Sequence, residues 1–341
     1  MKSKRRPTMK DVAAYAGVSQ PTVSNVLNGV PNVSEASRMQ VWKAVKELGY
    51  LPNQAARILK ANCSKTIGVV VPDISSGYYT EIVEHIEAAL RQSGYLIYLC
   101  NTSYESQLEN EYLSQLLKYR VDGVLICYGV IQDVIYHRLQ EASVPFVVLD
   151  GQIQDQFPEI LTVDNNNYLG SELAIEHLHQ MGCRNICYAS EPLYNEVLKN
   201  RYAGYKKAME KRNLPVEKDM VFIAHKQYRR VEMGFDIGTN ILLNPSIDAV
   251  YASSDYIAVG ILKRLEKGGK KVPRDLLVVG YDDVLISELV SPTLSTVFQP
   301  KKDIAEQAVR MLLQSIAQKE VEEPHIMLSP HLVVRESSVK F

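Results

Sequence analysis

Tryptophan occurs once in the 341 residues, at Trp42, and the cysteines are few and odd in number: Cys63, Cys100, Cys127, Cys183 and Cys187. Such a scattered set, mostly inside apolar runs, does not read as the disulfide framework of a small secreted scaffold. It predicts reduced, buried thiols in a cytoplasmic protein. Cys183 and Cys187 lack the partner cysteines or the spaced histidine pair of a zinc site, so no metal is expected. No apolar run approaches the ~18 residues that cross a bilayer. The charged start (Lys2, Lys4, Arg5, Arg6) is followed by no apolar segment of the kind a signal peptide needs, so neither a membrane partner nor export is expected. The signatures of common catalytic sites are missing too. There is no G-x-G-x-x-G after a strand, no G-x4-G-K-[ST] around Gly269 and Lys270, no H-E-x-x-H and no G-x-S-x-G elbow. The expectation is a protein that is not an enzyme and carries no cofactor.

Charge of one sign is not in excess, since the net charge is −1, but it is unevenly placed. Residues 1–60 hold ten Lys/Arg against three acids, a balance of +7, whereas the other 281 hold 28 against 36, a balance of −8. A small basic block ahead of a mildly acidic body predicts a nucleic-acid-binding head on a separate module; a solvated basic tail is the plainer alternative. The pattern inside the block decides for the head. Thr8 can cap a helix over Met9–Ala16 whose apolar positions Val12, Ala13 and Ala16 share one face. Gly17 suits a left-handed helix end and Val18 the buried side of a tight turn. Ser19 can cap a second helix over Gln20–Leu27, with Pro21 in the first turn, where its missing N–H costs nothing. Two short helices joined in this way form a helix-turn-helix, whose second helix offers its N-terminal side chains to a major groove. Ser34 starts a third helix, with Val41, Val45 and Leu48 inward, Gly49 at its end and Trp42 expected in the core.

The run MKDVAAYAGVSQPTVSNVLNG followed by NVSEASRMQVWKAVKELGYLPNQAARILK resembles the DNA-binding head of the LacI/GalR family of bacterial transcription regulators. The family pattern D-V-A-x-x-A-G-V-S-x-x-T-V-S-x-V-L-N-G is met at every fixed position from Asp11 to Gly29. The resemblance implies that Gln20, Pro21 and Asn25 face base edges. Gln and Asn can pair with adenine N6/N7, and Pro21 can offer only apolar contact. It implies phosphate contacts from Thr8, Ser19, Thr22, Ser24, Asn28 and Tyr50, which position the head without reading sequence. Tyr50–Lys60 is similar to the family's hinge: Pro52 breaks the chain, Asn53 can cap a short helix, and a leucine at the position of Leu59 wedges into the central base step from the minor groove. Asn53, Leu59 and Lys60 are thus further candidate DNA contacts. A helix this short is marginal alone and is expected to order when two copies pack on DNA.

Beyond Lys65, apolar runs alternate with amphipathic stretches of helical length. The runs are Thr66–Pro72, Tyr95–Asn101, Gly123–Tyr128, Phe146–Asp150, Ile160–Asp164, Asn185–Ser190, Met220–Ala224, Ala249–Ser254 and Leu276–Tyr281; the helical candidates include Tyr79–Ser93, Asn167–Met181 and Tyr256–Gly268. This alternation predicts parallel sheets covered on both faces. The fold expected is an all-α helix-turn-helix head (1–51), a hinge and linker (52–62), and an α/β effector-binding and dimerisation body (63–341). By the resemblance the body consists of two doubly wound parallel-sheet lobes of periplasmic-binding-protein type. Lobe one would span about 63–161 plus 293–324 and lobe two about 162–291 plus 326–341, with crossings near Leu161–Asn165, Ser291–Leu294 and Glu323–Met327.

Open α/β sheets bind ligands beyond the carboxyl ends of their strands. There the sequence places Asp150, Asp255, Asp282 and Asp283, and Arg201 opens RYAGYKKAM. Carboxylates accept from vicinal hydroxyls and arginine donates in a fixed fork, a set suited to a polyol or a carboxylate. The resemblance implies effector contacts from Tyr78, Tyr79, Tyr128, Asp150, Asn195, Arg201, Tyr228, Asp255, Asp282 and Gln299, with Asp283 a structural cap. Purine-responsive members have an Arg and a Thr where Asn195 and Val197 fall, which speaks against a purine corepressor. Where many members carry an aromatic residue, five before Gly234, this chain has Arg229 beside Tyr228 and Arg230. Either an insertion moves Tyr228 into the slot, or the pocket is more cationic and its effector anionic. The expected partners are double-stranded, pseudo-palindromic operator DNA, a small-molecule effector of carbohydrate type, and a second copy in a homodimer. The alternative is a solute-binding protein of the same body fold without a regulatory role.

Overall fold

The computed structural model describes residues 7–27, 29–50, 63–127, 133–153, 157–226 and 229–339. Met1–Ser64 and Lys65–Phe341 form two compact units. In the first, α1 (Met9–Ala16), α2 (Gln20–Leu27) and α3 (Glu35–Leu48) bury Val12, Ala13, Ala16, Val23, Val26, Val41, Ala44 and Tyr50 in one small core. The helix limits follow from local chemistry. Thr8 and Asp11 close a reciprocal capping box at the start of α1, and Gly17 leaves it at φ 65°, a left-handed C-cap suited to glycine. Ser34 caps α3 and Gly49 ends it in the same left-handed conformation. Trp42, expected in this core, is instead 51% exposed. The inward stripe of α3 runs through Val41, Ala44, Val45 and Leu48, and position 42 is turned about 100° away from Val41 on a helix.

In the second unit, β1 (Thr66–Val71), β2 (Leu96–Asn101), β3 (Gly123–Cys127), β4 (Phe146–Leu149), β5 (Leu161–Asn165) and β11 (His325–Leu328) form one sheet in the order β11-β5-β4-β3-β1-β2. β6 (Ile186–Ser190), β7 (Val221–Ile223), β8 (Ala249–Ala252), β9 (Leu277–Asp282), β10 (Ser295–Phe298) and β12 (His331–Val333) form the other, in the order β12-β10-β9-β8-β6-β7. All pairings are parallel except the edge pair β10–β12. The connecting helices are α4 (Gly77–Gln92), α5 (Ser106–Lys118), α6 (Asp133–Glu141), α7 (Asn167–Gln180), α8 (Glu196–Lys211), α9 (Arg230–Leu243), α10 (Asp255–Lys267), α11 (Ile286–Leu289) and α12 (Lys301–Ile316). Each sheet is covered on both faces, which is why its central strands read as unbroken apolar runs. In β1, Ile67, Val69 and Val71 enter one core with α4 and α12, and Val70 enters the core on the opposite face with Val124 and Ile126.

The lobe limits differ from those expected. β5 pairs with β4 and β11 in the first sheet, and β10 pairs with β9 in the second, so the chain crosses after each of these strands rather than before it. The crossings fall at residues 165–167, 298–301 and 328–331, in place of Leu161–Asn165, Ser291–Leu294 and Glu323–Met327. Three strands, β10, β11 and β12, have no counterpart among the nine runs: they are only four, four and three residues long, and β11 and β12 are half exposed. Close helix packing is set by glycine in the second lobe. A Cβ at Gly234 of α9 would lie 2.1 Å from the Ile257 carbonyl, and one at Gly260 of α10 would lie 2.1 Å from that of Val231. Among the described residues no helix is long and apolar enough to cross a membrane.

Candidate functional site

The head presents its second helix as the sequence anticipates. Val23 and Val26 turn inward, so Gln20, Pro21 and Asn25 are left exposed at the start and along the outer side of α2. The Ser19 hydroxyl accepts from the Thr22 backbone at 3.2 Å and shares a 2.8 Å hydrogen bond with the Thr22 hydroxyl, which fixes the first turn. Thr8 is engaged with Asp11, and Ser24 is half-buried. Tyr50, expected at the phosphate surface, is 6% exposed and belongs to the head core, because it folds back over α3 with its backbone N–H on the Val45 carbonyl at 3.0 Å. Asn28, Asn53, Leu59 and Lys60 lie outside the described residues, as do Tyr128 and Tyr228 of the body.

In the body, a narrow cleft lies at the carboxyl ends of both sheets, between the lobes. Its wall contains Tyr78, Tyr79, Asp150, Asn195, Arg201 and Asp282 from the expected set. Asp150, directly after β4, accepts from the Tyr78 hydroxyl and from the Asn165 backbone at 3.1 Å. Burial raises its carboxyl above the ordinary range, and those two hydrogen bonds oppose the rise. Arg201, on α8, donates to Asn167 at 2.8 Å, to the Ser253 carbonyl at 2.6 Å and to Asp282 at 3.3 Å, and stacks on Tyr281 at 3.6 Å. Burial pushes Asp282 up to about 6 even though Arg201 pulls it down. Asp150 and Asp282 hold φ of 53° and 109°, conformations non-glycine residues seldom adopt, so the backbone is strained at two acids of the wall. Asn195 caps α8 by accepting from the Leu198 N–H at 2.8 Å. Its Nδ2 is buried with no hydrogen-bond partner among the described residues.

Two expected contacts are not in the wall. Asp255 is fully buried: one oxygen accepts from the Val284 N–H at 2.9 Å and the other from the Thr296 hydroxyl at 2.6 Å. It ties the end of β9 to β10 and is not free to meet a ligand. Burial, reinforced by Asp282, raises its carboxyl well above the ordinary range. Gln299 is also fully buried and donates to Asp282 at 2.7 Å, so it stands behind the wall and orients that carboxylate. Asp283, expected as a structural cap, accepts from Arg335 at 2.7 Å and from Ser287 at 3.3 Å.

Several wall residues escaped the sequence: Tyr104, Glu191, Tyr194 and Tyr256. The strand-end rule would have found Glu191, the residue directly after β6. Tyr104 and Tyr194 meet edge-to-face at 5.8 Å, an aromatic pair built from two loops. Of the two arginines beside Tyr228, Arg230 lines the cavity, whereas the Arg229 side chain is 86% exposed and meets Glu232 at 3.7 Å. Arg230 donates to Glu191 at 3.0 Å, to Asp73 at 3.2 Å and to the Tyr104 hydroxyl. Burial alone would raise Glu191, but Arg230 and Ser253 hold it below the ordinary range; burial drives Tyr104 up to about 12, so it stays a neutral phenol. Tyr256 accepts from the Gly77 N–H at 3.2 Å, and Lys301 spans Glu81 at 2.9 Å and the Asp282 and Asp283 carbonyls at 2.9 and 2.8 Å. The lobes are therefore joined by ionic and hydrogen-bonded contacts around the cavity.

A helix-turn-helix head on a two-lobed body with a polar cleft defines a ligand-responsive DNA-binding regulator of the type whose body is like a periplasmic binding protein. A family model described as "Bacterial regulatory proteins, lacI family" matches residues 8–53, and one described as "Periplasmic binding protein-like domain" matches residues 175–338. The chain is 36% identical over 335 residues to the transcriptional repressor PurR of Actinobacillus pleuropneumoniae (serotype 3, strain JL03), covering 97% of this chain and 98% of that one. Among solved structures, the lac repressor dimer bound to operator and the anti-inducer ONPF aligns with a TM-score of 0.86 at 28% identity, covering 98% of this chain and 100% of that one. The complex of the transcriptional regulator CelR with cellobiose aligns with a TM-score of 0.73 at 30% identity, covering 97% and 100%. The protein belongs to the lacI family of bacterial regulatory proteins. It is a DNA-binding transcriptional repressor, not an enzyme.

Proposed function

We propose that the cleft takes a sugar or sugar derivative and that this effector governs the head's affinity for a pseudo-palindromic operator bound by a homodimer. The observation that carries the effector site is the Asn195 amide: a buried donor without an acceptor among the described residues, set in the cavity wall with two arginines and an aromatic pair. A buried donor left unpaired costs about 1–3 kcal/mol, which a hydroxyl of the ligand would recover. The acids, amide and tyrosines of the wall form the set that grips vicinal hydroxyls, with ring faces left to cover a sugar's apolar side. The cellobiose complex of CelR supports the same class. Dimerisation is supported by the edge strand β2, where Leu96, Tyr98 and Leu99 are 68, 49 and 45% exposed. On DNA, α2 of each copy enters a major groove, with Gln20, Pro21 and Asn25 at base edges and Thr8, Ser19, Thr22, Ser24 and Asn28 on the backbone. Leu59, with Asn53 and Lys60, takes the central minor groove. Effector binding shifts the equilibrium between two lobe arrangements and thereby the spacing of the paired hinges.

The test is a screen of mono- and disaccharides by thermal shift on the full chain, since a ligand of the folded state raises its apparent stability. Asn195→Ser keeps an acceptor for the helix cap and removes the amide donor. It should keep the fold and lose at least tenfold in affinity for the sugar found. Undiminished binding would remove the cleft from the account.

A further inference from the structure

We infer that Glu191, Arg230 and Asp73 form a clasp across the cleft that admits an uncharged effector and rejects phosphorylated or acidic ones, an inference that rests on the cleft being the effector site. Arg230 opens α9 in the second lobe and shares that lobe with Glu191, whereas Asp73 and Tyr104 belong to the first. The guanidinium therefore ties the lobes through two carboxylates, Glu191 at 3.0 Å and Asp73 at 3.2 Å. The side chains of Arg230 and Glu191 are only 14% and 4% exposed, so water contributes little to balancing either charge. One positive charge already answers two negative ones. The wall's other guanidinium, Arg201, is spent on Asp282 in the same manner, and Asp150 adds a further acid. Among the described residues of the wall, an incoming phosphate or carboxylate finds no free cation. It must displace Asp73, breaking the clasp, or sit unpaired beside Glu191, and like charges at that range repel strongly where water is excluded. A hydroxyl meets no such barrier, because it can donate to a carboxylate and accept from Asn195 with no change in charge. Arg230, which the sequence offers as part of a cationic pocket, thus acts in the opposite sense.

The experiment uses calorimetry and thermal shift on the full chain with matched sets: a sugar, its phosphate ester and its sugar acid, together with inorganic phosphate as a probe independent of the sugar's identity. On the wild type the uncharged member should bind at least tenfold more tightly than its charged counterparts, and inorganic phosphate should give no saturable shift. Glu191→Gln removes one of the two carboxylates on Arg230 and should gain at least tenfold for the charged members and respond saturably to phosphate. Asp73→Asn, at the more exposed end of the clasp, gives the same reading should Glu191→Gln not fold. A charged member binding the wild type as tightly as its parent would overturn the inference. So would saturable phosphate protection of the wild type that Arg230→Gln abolishes, or a selectivity unmoved in both carboxylate variants. Binding that survives Asn195→Ser unchanged would instead remove the cleft reading on which the inference rests.

Discussion

Replacing Arg201 by methionine should destabilise the body in a way that depends on pH, and the structure sets both the size and the sign. The guanidinium is 5% exposed and holds Asn167, the Ser253 carbonyl and Asp282. Without it, the Asp282 carboxylate keeps the Gln299 amide donor at 2.7 Å but is left buried without its ion-pair partner. Breaking a buried pair by removing one partner costs about 3–5 kcal/mol. Asp282 titrates near 6 in the folded protein against an ordinary 3.8, so its folded value is raised. A carboxyl raised on folding makes the native state bind more protons, and stability falls as pH climbs from about 4 to 6. Below about pH 6 the folded protein increasingly protonates Asp282, and by pH 4.5 the ion pair is largely gone. Arg201→Met then forfeits only the neutral hydrogen bonds and the stacking on Tyr281, about 2 kcal/mol. Urea unfolding of wild type and variant, followed by circular dichroism, should show a loss of about 3–5 kcal/mol at pH 8 that falls to about 2 kcal/mol at pH 4.5. A loss that is equal at the two pH values, or larger at pH 4.5, would refute the ion-pair reasoning.

Glu109 is 7% exposed, its Oε1 has no partner among the described residues, and burial pushes its carboxyl up to about 7, so it burdens the fold increasingly as pH rises from about 4.5 to 7. Glu109→Gln should therefore stabilise by about 1–3 kcal/mol at pH 8.5 and by little at pH 4.5; a pH-independent effect would contradict it. Gly234→Ala drives a methyl into the Ile257 carbonyl across α9 and α10 and should cost at least about 1–3 kcal/mol, measured as a lower urea midpoint. In the head, Gln20→Ala should relax preference at one base pair per half-site by about 1–3 kcal/mol, whereas Thr22→Ala, which also loses the hydroxyl pair with Ser19, should weaken all sequences alike. Selection on randomised DNA that returns the same preferences for both variants would show that Gln20 is not a reader. Operator affinity should fall steeply with salt, with a log–log slope of several units if ~6–10 phosphates are neutralised across the dimer, and a flat response would count against DNA binding by this face.

The head was the most legible part because its signals are local. Thr8, Gly17, Ser19, Ser34 and Gly49 act within three or four residues of themselves, and five of the six helix limits follow from them. Trp42 misled because an apolar residue next to a buried stripe looks like core until the helical phase is fixed. The central strands of the body were legible from their unbroken apolar runs, whereas β10, β11 and β12 are short and completed by partners far along the chain, such as His325–Leu328 against Leu161–Asn165. That long-range pairing also moved the lobe crossings. In the cleft, residues at strand ends could be named, but their roles depended on partners no spacing reveals. Asp255 looks like a ligand carboxylate until Val284 and Thr296 are seen to occupy it, and Arg230 looks like a free cation until Glu191 and Asp73 converge on it from opposite lobes.

The coupling between cleft and head is tested most directly by fluorescence anisotropy of a selected operator duplex with the full-length dimer, titrated with and without the sugar that binds. The sugar should change operator affinity at least tenfold in the wild type and leave it unchanged in Asn195→Ser, which should still bind the duplex with wild-type affinity and salt dependence. A sugar that saturates the wild-type cleft and leaves operator affinity where it was would contradict that coupling.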